Sequence, residues 1–174
     1  WMYRKMFDTE GSAEIDNSVF YGGTASLKIT KSGEYVQNNY ICIYQDVYVK
    51  PNTRYEFGLK AKADKAEGCW FGLGPTKNIS RVQINGTYGW KEYKSSYTTG
   101  EDENLKNTNY LALYPDVDCY HTAEQGAWLR FCIYAEGDTT SINIDNCYVR
   151  ESGTDVNLLE NGDFEGGAPQ DAQD

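Results

Sequence analysis

Histidine is almost missing: His121 is the only one in 174 residues, and no serine or cysteine nucleophile with an acid partner forms a catalytic set around it. It reads as a surface loop residue. Cysteine is sparse and odd in number. Cys42, Cys69, Cys119, Cys132 and Cys147 contain no C-x-x-C pair, which speaks against a zinc site and against a complete disulfide framework. Cys42, Cys132 and Cys147 fall inside strand-like runs, where a free thiol behaves as a small hydrophobe; one disulfide among the five is the alternative. Positive charge is short as well, with 16 Lys and Arg against 26 Asp and Glu and a formal net charge of −10. Such a surface repels phosphate backbones and anionic bilayers, so neither nucleic acid nor membrane is an expected partner. No apolar run approaches the roughly 18 residues of a membrane span. The opening Trp1-Met2-Tyr3-Arg4 lacks the apolar core of a signal peptide and reads as the edge of an excised piece.

Aromatic side chains, by contrast, are abundant: fifteen tyrosines, six phenylalanines and four tryptophans. Tyrosine carries an apolar ring and a polar tip, suited to half-wet surfaces. Apolar residues recur with period two, and no segment holds a helical period. The clearest case is 53–63, where Tyr55, Phe57, Leu59, Ala61 and Ala63 share one face while Arg54, Glu56, Lys60 and Lys62 share the other. Further strands are predicted at 3–8, 25–30, 40–49, 69–74, 81–84, 90–98, 110–114, 127–135 and 141–150, separated by turn-rich segments. An all-β, two-sheet antiparallel β-sandwich of the jelly-roll kind follows, with a closed barrel as the lesser option. Residues 1–152 form the expected domain. Residues 153–174 read as a linker or the start of a next module, because Asp163-Phe164-Glu165 echoes Phe7-Asp8 near the beginning and no hydrophobic strand follows.

Parity within three strands singles out one sheet face. In 40–49 the odd residues Ile41, Ile43, Val47 and Val49 belong to the core, which turns Tyr40, Cys42, Tyr44 and Tyr48 outward. In 69–74, Phe71 and Leu73 point in, leaving Trp70, Gly72 and Gly74 outside. In 127–135, Leu129, Phe131 and Ile133 point in, leaving Trp128, Arg130, Cys132 and Tyr134 outside. If these strands share a sheet, its outer face carries Tyr40, Tyr44, Trp70, Trp128, Tyr134 and Arg130, whereas the opposite sheet is charged. Contiguous exposed apolar surface marks a binding site. Sugar rings suit it: their C–H faces stack on Trp and Tyr, with Arg130, Gln45, Asn38 and Asn39 as flanking polar groups and the two glycines leaving room for a chain. The competing account is that loops, including the long 100–126 segment, or a neighbouring subunit cover these rings as ordinary core.

In the last strand Ile142 and Ile144 are even while Cys147 and Val149 are odd, so a bulge is expected beside Asp145. A bulge there could aim Asp145 toward Asp8 and Glu10, making an oxygen cage of the kind calcium takes. The alternative is that these acids are capped by backbone amides or by Arg and Lys.

The stretches Ala25-Ser-Leu-Lys-Ile-Thr30, Gln45-Asp-Val-Tyr-Val-Lys-Pro-Asn-Thr-Arg-Tyr-Glu-Phe57, Gly89-Trp-Lys-Glu-Tyr93, Tyr97-Thr-Thr-Gly100 and Ile142-Asn-Ile-Asp-Asn-Cys-Tyr-Val149 together make the chain resemble carbohydrate-binding modules of the family 4, 9, 16 and 22 type. The resemblance implies a jelly roll, a structural calcium ion held by Asp145 and the Asp8–Glu10 region, and a face near Tyr40, Trp70 and Arg130 to Tyr134 that binds β-linked plant polysaccharide. It makes xylan the first expected ligand and β-glucan the second, bound by a non-catalytic, monomeric module of a larger xylanase or other glycoside hydrolase. Segment 100–126 is longer than the family's usual connection. A secreted or cell-surface bacterial protein is implied, and its unpaired cysteines suit an anaerobic setting. A protein-binding or adhesive sandwich is the second reading. A glycoside hydrolase is the third, although the E-x-D-x-x-E strand signature of one jelly-roll glycosidase family is absent.

Overall fold

The structure, a computed structural model, describes residues 1–6, 8–75, 79–100 and 127–171. Among them are eleven strands and no helix: β1 (Met2–Lys5), β2 (Glu10–Asp16), β3 (Ser26–Ser32), β4 (Ile41–Val49), β5 (Arg54–Ala66), β6 (Cys69–Gly74), β7 (Ser80–Gln83), β8 (Gly86–Thr98), β9 (Ala127–Ala135), β10 (Thr140–Glu151) and β11 (Gln170–Asp171). They form two sheets, ordered β11-β1-β4-β9-β6-β7 and β2-β3-β10-β5-β8. Every pairing is antiparallel except β1 with β11. The expected β-sandwich is therefore present.

Alternation in the sequence decides which side of each strand meets the other sheet. Tyr55, Phe57, Leu59, Ala61 and Ala63 of β5 are buried against Ile41, Ile43, Val47 and Val49 of β4, Phe71 and Leu73 of β6, and Leu129, Phe131 and Ile133 of β9. Phe57, Phe71 and Phe131 meet at centroid distances of 5.8 to 6.4 Å in edge-on and tilted arrangements, the geometry that ring quadrupoles favour. The predicted bulge in β10 is present: its register against β5 shifts between Asp145 and Tyr148, and Asn146 adopts a φ of 48°. The extra residue moves the inward set from Ile142 and Ile144 to Cys147 and Val149.

Two elements differ from expectation. Strand β2 was not predicted, because in Glu10-Gly-Ser-Ala-Glu-Ile-Asp only Ala13 and Ile15 mark the inner face and they are small or partly buried. The division at residue 152 does not hold either. Residues 157–171 pack onto the domain, with Leu159 and Phe164 in the main core and the Trp1 ring 5.2 Å from that of Phe164. Trp1 Nε1 donates to the Asn161 carbonyl (2.8 Å), and Gln45 exchanges two hydrogen bonds with the backbone of Glu160 (2.7 and 3.0 Å). Among the described residues Leu158, Leu159 and Phe164 are the large apolar side chains that carry this docking, and their spacing has no period of two to register.

Candidate ligand-binding face

The antiparallel register of β4, β9 and β6 fixes the candidate site. Tyr44 lies opposite Cys132, Cys42 opposite Tyr134, Tyr48 opposite Trp128, and Tyr134 in turn opposite Trp70. The six residues singled out by parity, Tyr40, Tyr44, Trp70, Trp128, Arg130 and Tyr134, therefore belong to one side of one sheet. They are more enclosed than expected. Trp70 is 2% exposed, Arg130 7% and Tyr44 9%, while Tyr40, Trp128 and Tyr134 are half-buried.

Trp70 is clamped. Its indole stacks on Tyr134 at 4.3 Å with planes only 5° apart, and Arg81, from β7 on the other side of β6, places its guanidinium 4.1 Å from the ring centre. Its Nε1 donates to Glu136 Oε1 at 2.7 Å. The space expected above Gly72 is filled, since a Cβ there would lie 2.4 Å from the Ile79 side chain. Trp70 thus acts as the anchor of the face rather than as an open stacking platform. Tyr40 leans on Tyr134 at 5.1 Å, and buried Cys42 and Cys132 complete this second cluster beneath.

Arg130 forms the other fixed point. Its Nε and Nη2 donate to the two carboxylate oxygens of Asp46 at 2.8 and 2.9 Å, and its guanidinium lies 3.8 Å from the centre of the Tyr44 ring. A fork held at both carboxylate oxygens and laid flat on a ring has little freedom. Beyond it Tyr48 and Trp128 meet edge to face at 5.7 Å, and Tyr48, 41% exposed, is the most open ring of the array. Parity had turned Tyr48 outward without separating it from the rest. Asp46, Glu136 and Arg81 are contributors that sequence reading missed, since a charged residue acting as a brace has no pattern of its own.

The thiols match the buried, unpaired reading. Cys42, Cys69, Cys132 and Cys147 are free and buried. Burial pushes the Cys42 thiol up to about 12 and that of Cys69 to about 11, and it raises those of Cys132 and Cys147 well above the ordinary thiol value. Loss of water around the ring also raises the Tyr134 hydroxyl, so its phenol stays protonated as a donor. Cys119, His121 and the role expected of the 100–126 segment as a cover lie outside the described residues.

The calcium trio does not assemble. Asp145 is fully buried, but its Oδ2 accepts from the backbone N–H groups of Tyr21 and Gly22 (2.8 and 3.1 Å) and its Oδ1 from that of Asn146 (2.7 Å). Amide hydrogens aimed at both oxygens oppose a cation there. Desolvation still holds this carboxyl above its ordinary value. Glu10 pairs with Ser32, five residues along β3 from Leu27, the partner of Ile144, so it sits about 16 Å away along the sheet. Asp8 lies beyond it and is exposed. Among the described residues no group of three His, Cys, Asp or Glu side chains could hold a metal ion. The amide-capped alternative is the one realised for Asp145. Of the flanking polar groups, Gln45 is committed to the Glu160 backbone.

The sequence model of the carbohydrate binding domain family CBM 4/9 matches residues 5–111. No curated protein matches the chain by sequence. Among solved structures, it is similar to a family 61 carbohydrate-binding module in complex with β-1,4-galactotriose, at 14% identity over 86% of this chain and 88% of that one, with a TM-score of 0.51. An arabinose-bound family 51 α-L-arabinofuranosidase is similar at 14% identity over 86% of this chain but only 23% of its own length, with a TM-score of 0.52. A family 4 carbohydrate-binding module shares 18% identity over 80% of this chain and 78% of that one, with a TM-score of 0.48.

Proposed function

The chain belongs to the carbohydrate binding domain family, and from that premise we propose that it binds a single plant cell-wall polysaccharide chain, xylan before β-glucan, across the outer face of β4, β9 and β6. The observation that carries this reading is the continuous array from Tyr48 and Trp128, over Tyr44 and Arg130, to Tyr134, Tyr40 and Trp70. Trp70 and Arg130 supply rigidity, and Tyr48, Trp128 and Tyr40 supply ring surface for sugar C–H faces. Ring planes inclined by 69° at Tyr48 and Trp128 and by 48° at Tyr40 and Tyr134 make an uneven surface. Such a surface favours a twisted chain such as xylan over the flat faces of crystalline cellulose. The proposed setting is a secreted or cell-surface module that keeps an attached glycoside hydrolase near its substrate. Four buried thiols, held protonated by burial, are consistent with an anaerobic bacterial origin.

Affinity electrophoresis in gels containing xylan, β-glucan, mannan or starch tests the proposal. Retardation strongest in xylan is the expected result. Unretarded migration in every gel would overturn it and leave the protein-binding reading, in which the same rings serve as a protein hot spot.

A further inference from the structure

We infer that the outer face of the other sheet holds a second sugar subsite, specific for an acidic residue such as a uronate, with Arg54 and Lys94 as its carboxylate receptors. The inference takes only the class of ligand from the polysaccharide-binding reading and uses none of the aromatic array.

Register places the parts. Tyr148 of β10, Gly58 of β5 and Lys94 of β8 stand in one cross-strand row, and Arg150, Glu56 and Ser96 in the next. Gly58 has no side chain to raise the floor, and the Tyr148 ring lies down over it. A Cβ at Gly58 would be 2.8 Å from the Tyr148 hydroxyl and 2.9 Å from Cε1. Around this dip Arg54, Glu56, Glu92, Lys94, Tyr148 and Arg150 line a recess of about 390 Å³, which is room for one monosaccharide.

The charges in the recess are unevenly matched. Glu56 Oε2 accepts from both Nε and Nη2 of Arg150 at 3.2 and 3.0 Å. Glu92 is neighboured by Lys60 at 3.6 Å. Arg54 donates only to the Ser96 hydroxyl, at 3.3 Å, and neither it nor Lys94 forms an ion pair among the described residues. The recess thus sets three cations, Arg54, Lys94 and Arg150, against two carboxylates, Glu56 and Glu92. Glu56 is held by Arg150 and feels Arg54 only through space, so in a chain with a net charge of −10 this recess carries a local positive excess that attracts an anion. A guanidinium fork and an ammonium fit a sugar carboxylate, while Ser96 and the acids of the rim can hydrogen-bond ring hydroxyls. Neutral sugars offer neither cation a carboxylate.

The test compares the intact chain in gels of glucuronoxylan and of the same polymer after carboxyl reduction. The wild type should bind the reduced polymer about three- to tenfold more weakly, as two exposed charge contacts allow, and added salt should shrink the gap. The variant R54A/K94A should bind both polymers alike and match the wild type on the reduced one. Equal wild-type binding to the two polymers, or a preference retained in R54A/K94A, overturns the subsite. Thermal melting checks the fold of the variant, and Lys94→Gln alone provides a milder version with a partial effect. Titration with free D-glucuronate and with D-glucose, followed by amide NMR shifts, separates the two sites. Glucuronate should move Arg54, Lys94 and Tyr148 and glucose should not. That outcome with no neutral polysaccharide bound would sink the aromatic-face proposal and keep this one, and absence of glucuronate shifts sinks this one alone.

Discussion

The two outer faces of the sandwich are built from the same pleat and carry opposite chemistry. On β4, β9 and β6 the outward positions hold Cys42, Tyr44, Trp70, Arg130, Cys132 and Tyr134, and most of these are enclosed. On β5, β8 and β10 the outward positions hold Arg54, Glu56, Lys60, Glu92, Lys94 and Arg150, which remain in contact with water. Charge in the first case is locked: Arg130 and Asp46 share a two-point contact, and the guanidinium is 7% exposed. Charge in the second is less confined: Arg150 holds a single oxygen of Glu56 at 3.0 and 3.2 Å with both side chains over a third exposed, and the Lys60–Glu92 pair is open to 3.6 Å. A rigid face can present rings without reorganising on binding, whereas a solvated one contributes mainly long-range attraction. Substitutions on the two faces should therefore separate stability from binding in opposite ways.

The largest effect is expected at Trp70. Trp70→Ala removes a ring clamped between Tyr134 and Arg81 and should cost about 3–5 kcal/mol, a drop of about 10 °C in thermal midpoint. A near-wild-type midpoint would return Trp70 to the role of open platform. Arg130→Met comes next: Asp46 loses its partner and stability falls by about 2 kcal/mol in denaturant titration, with a loss of sugar binding that follows the displaced Tyr44 ring. Trp128→Ala should reverse the balance, weakening polysaccharide retardation about tenfold or more while destabilising less than Trp70→Ala.

On the charged side the effects shrink. The Ser18 hydroxyl, joined by the Asn143 amide and the Ser18 and Val19 N–H groups, holds the Asp16 carboxyl down at about 2 against an ordinary 3.8. A depressed carboxyl stabilises the fold above its unfolded value and loses that contribution as pH falls through the folded one. The wild type should thus lose stability between pH 3.8 and about 2, and Asp16→Asn should lack that portion of the loss when urea midpoints are compared across pH. Asp145, raised by burial, acts in the other direction and does not add to it. Glu92→Gln should change stability by no more than about 0.5 kcal/mol; a larger effect would show that the Lys60 pair is as tightly held as that of Arg130.

Much of this organisation was legible in the alternation of side chains. Tyr55 to Ala63 announced β5, and the switch from Ile144 to Cys147 announced the bulge. Parity on three strands collected the residues of the aromatic face. What it could not supply was depth. Trp70 points outward by parity and is nonetheless buried, because Tyr134 and Arg81 come from neighbouring strands whose pairing no local pattern encodes. The calcium trio failed for a related reason. The bulge was placed correctly, but the loop that follows β2 delivers amides of Tyr21 and Gly22 to Asp145, while Glu10 ends up at the far end of β3.

Strand periodicity, the excess of aromatic rings and the deficit of positive charge are properties of the chain itself, and they determined the sandwich class and the side on which each ring emerges. Sheet order and register decided the rest: which rings touch, which are shielded, and that Phe164, near the end of the chain, closes the core beside Trp1 at its start. Side-chain direction follows from the two-residue repeat of a single strand, whereas exposure depends on neighbours brought together from distant parts of the sequence.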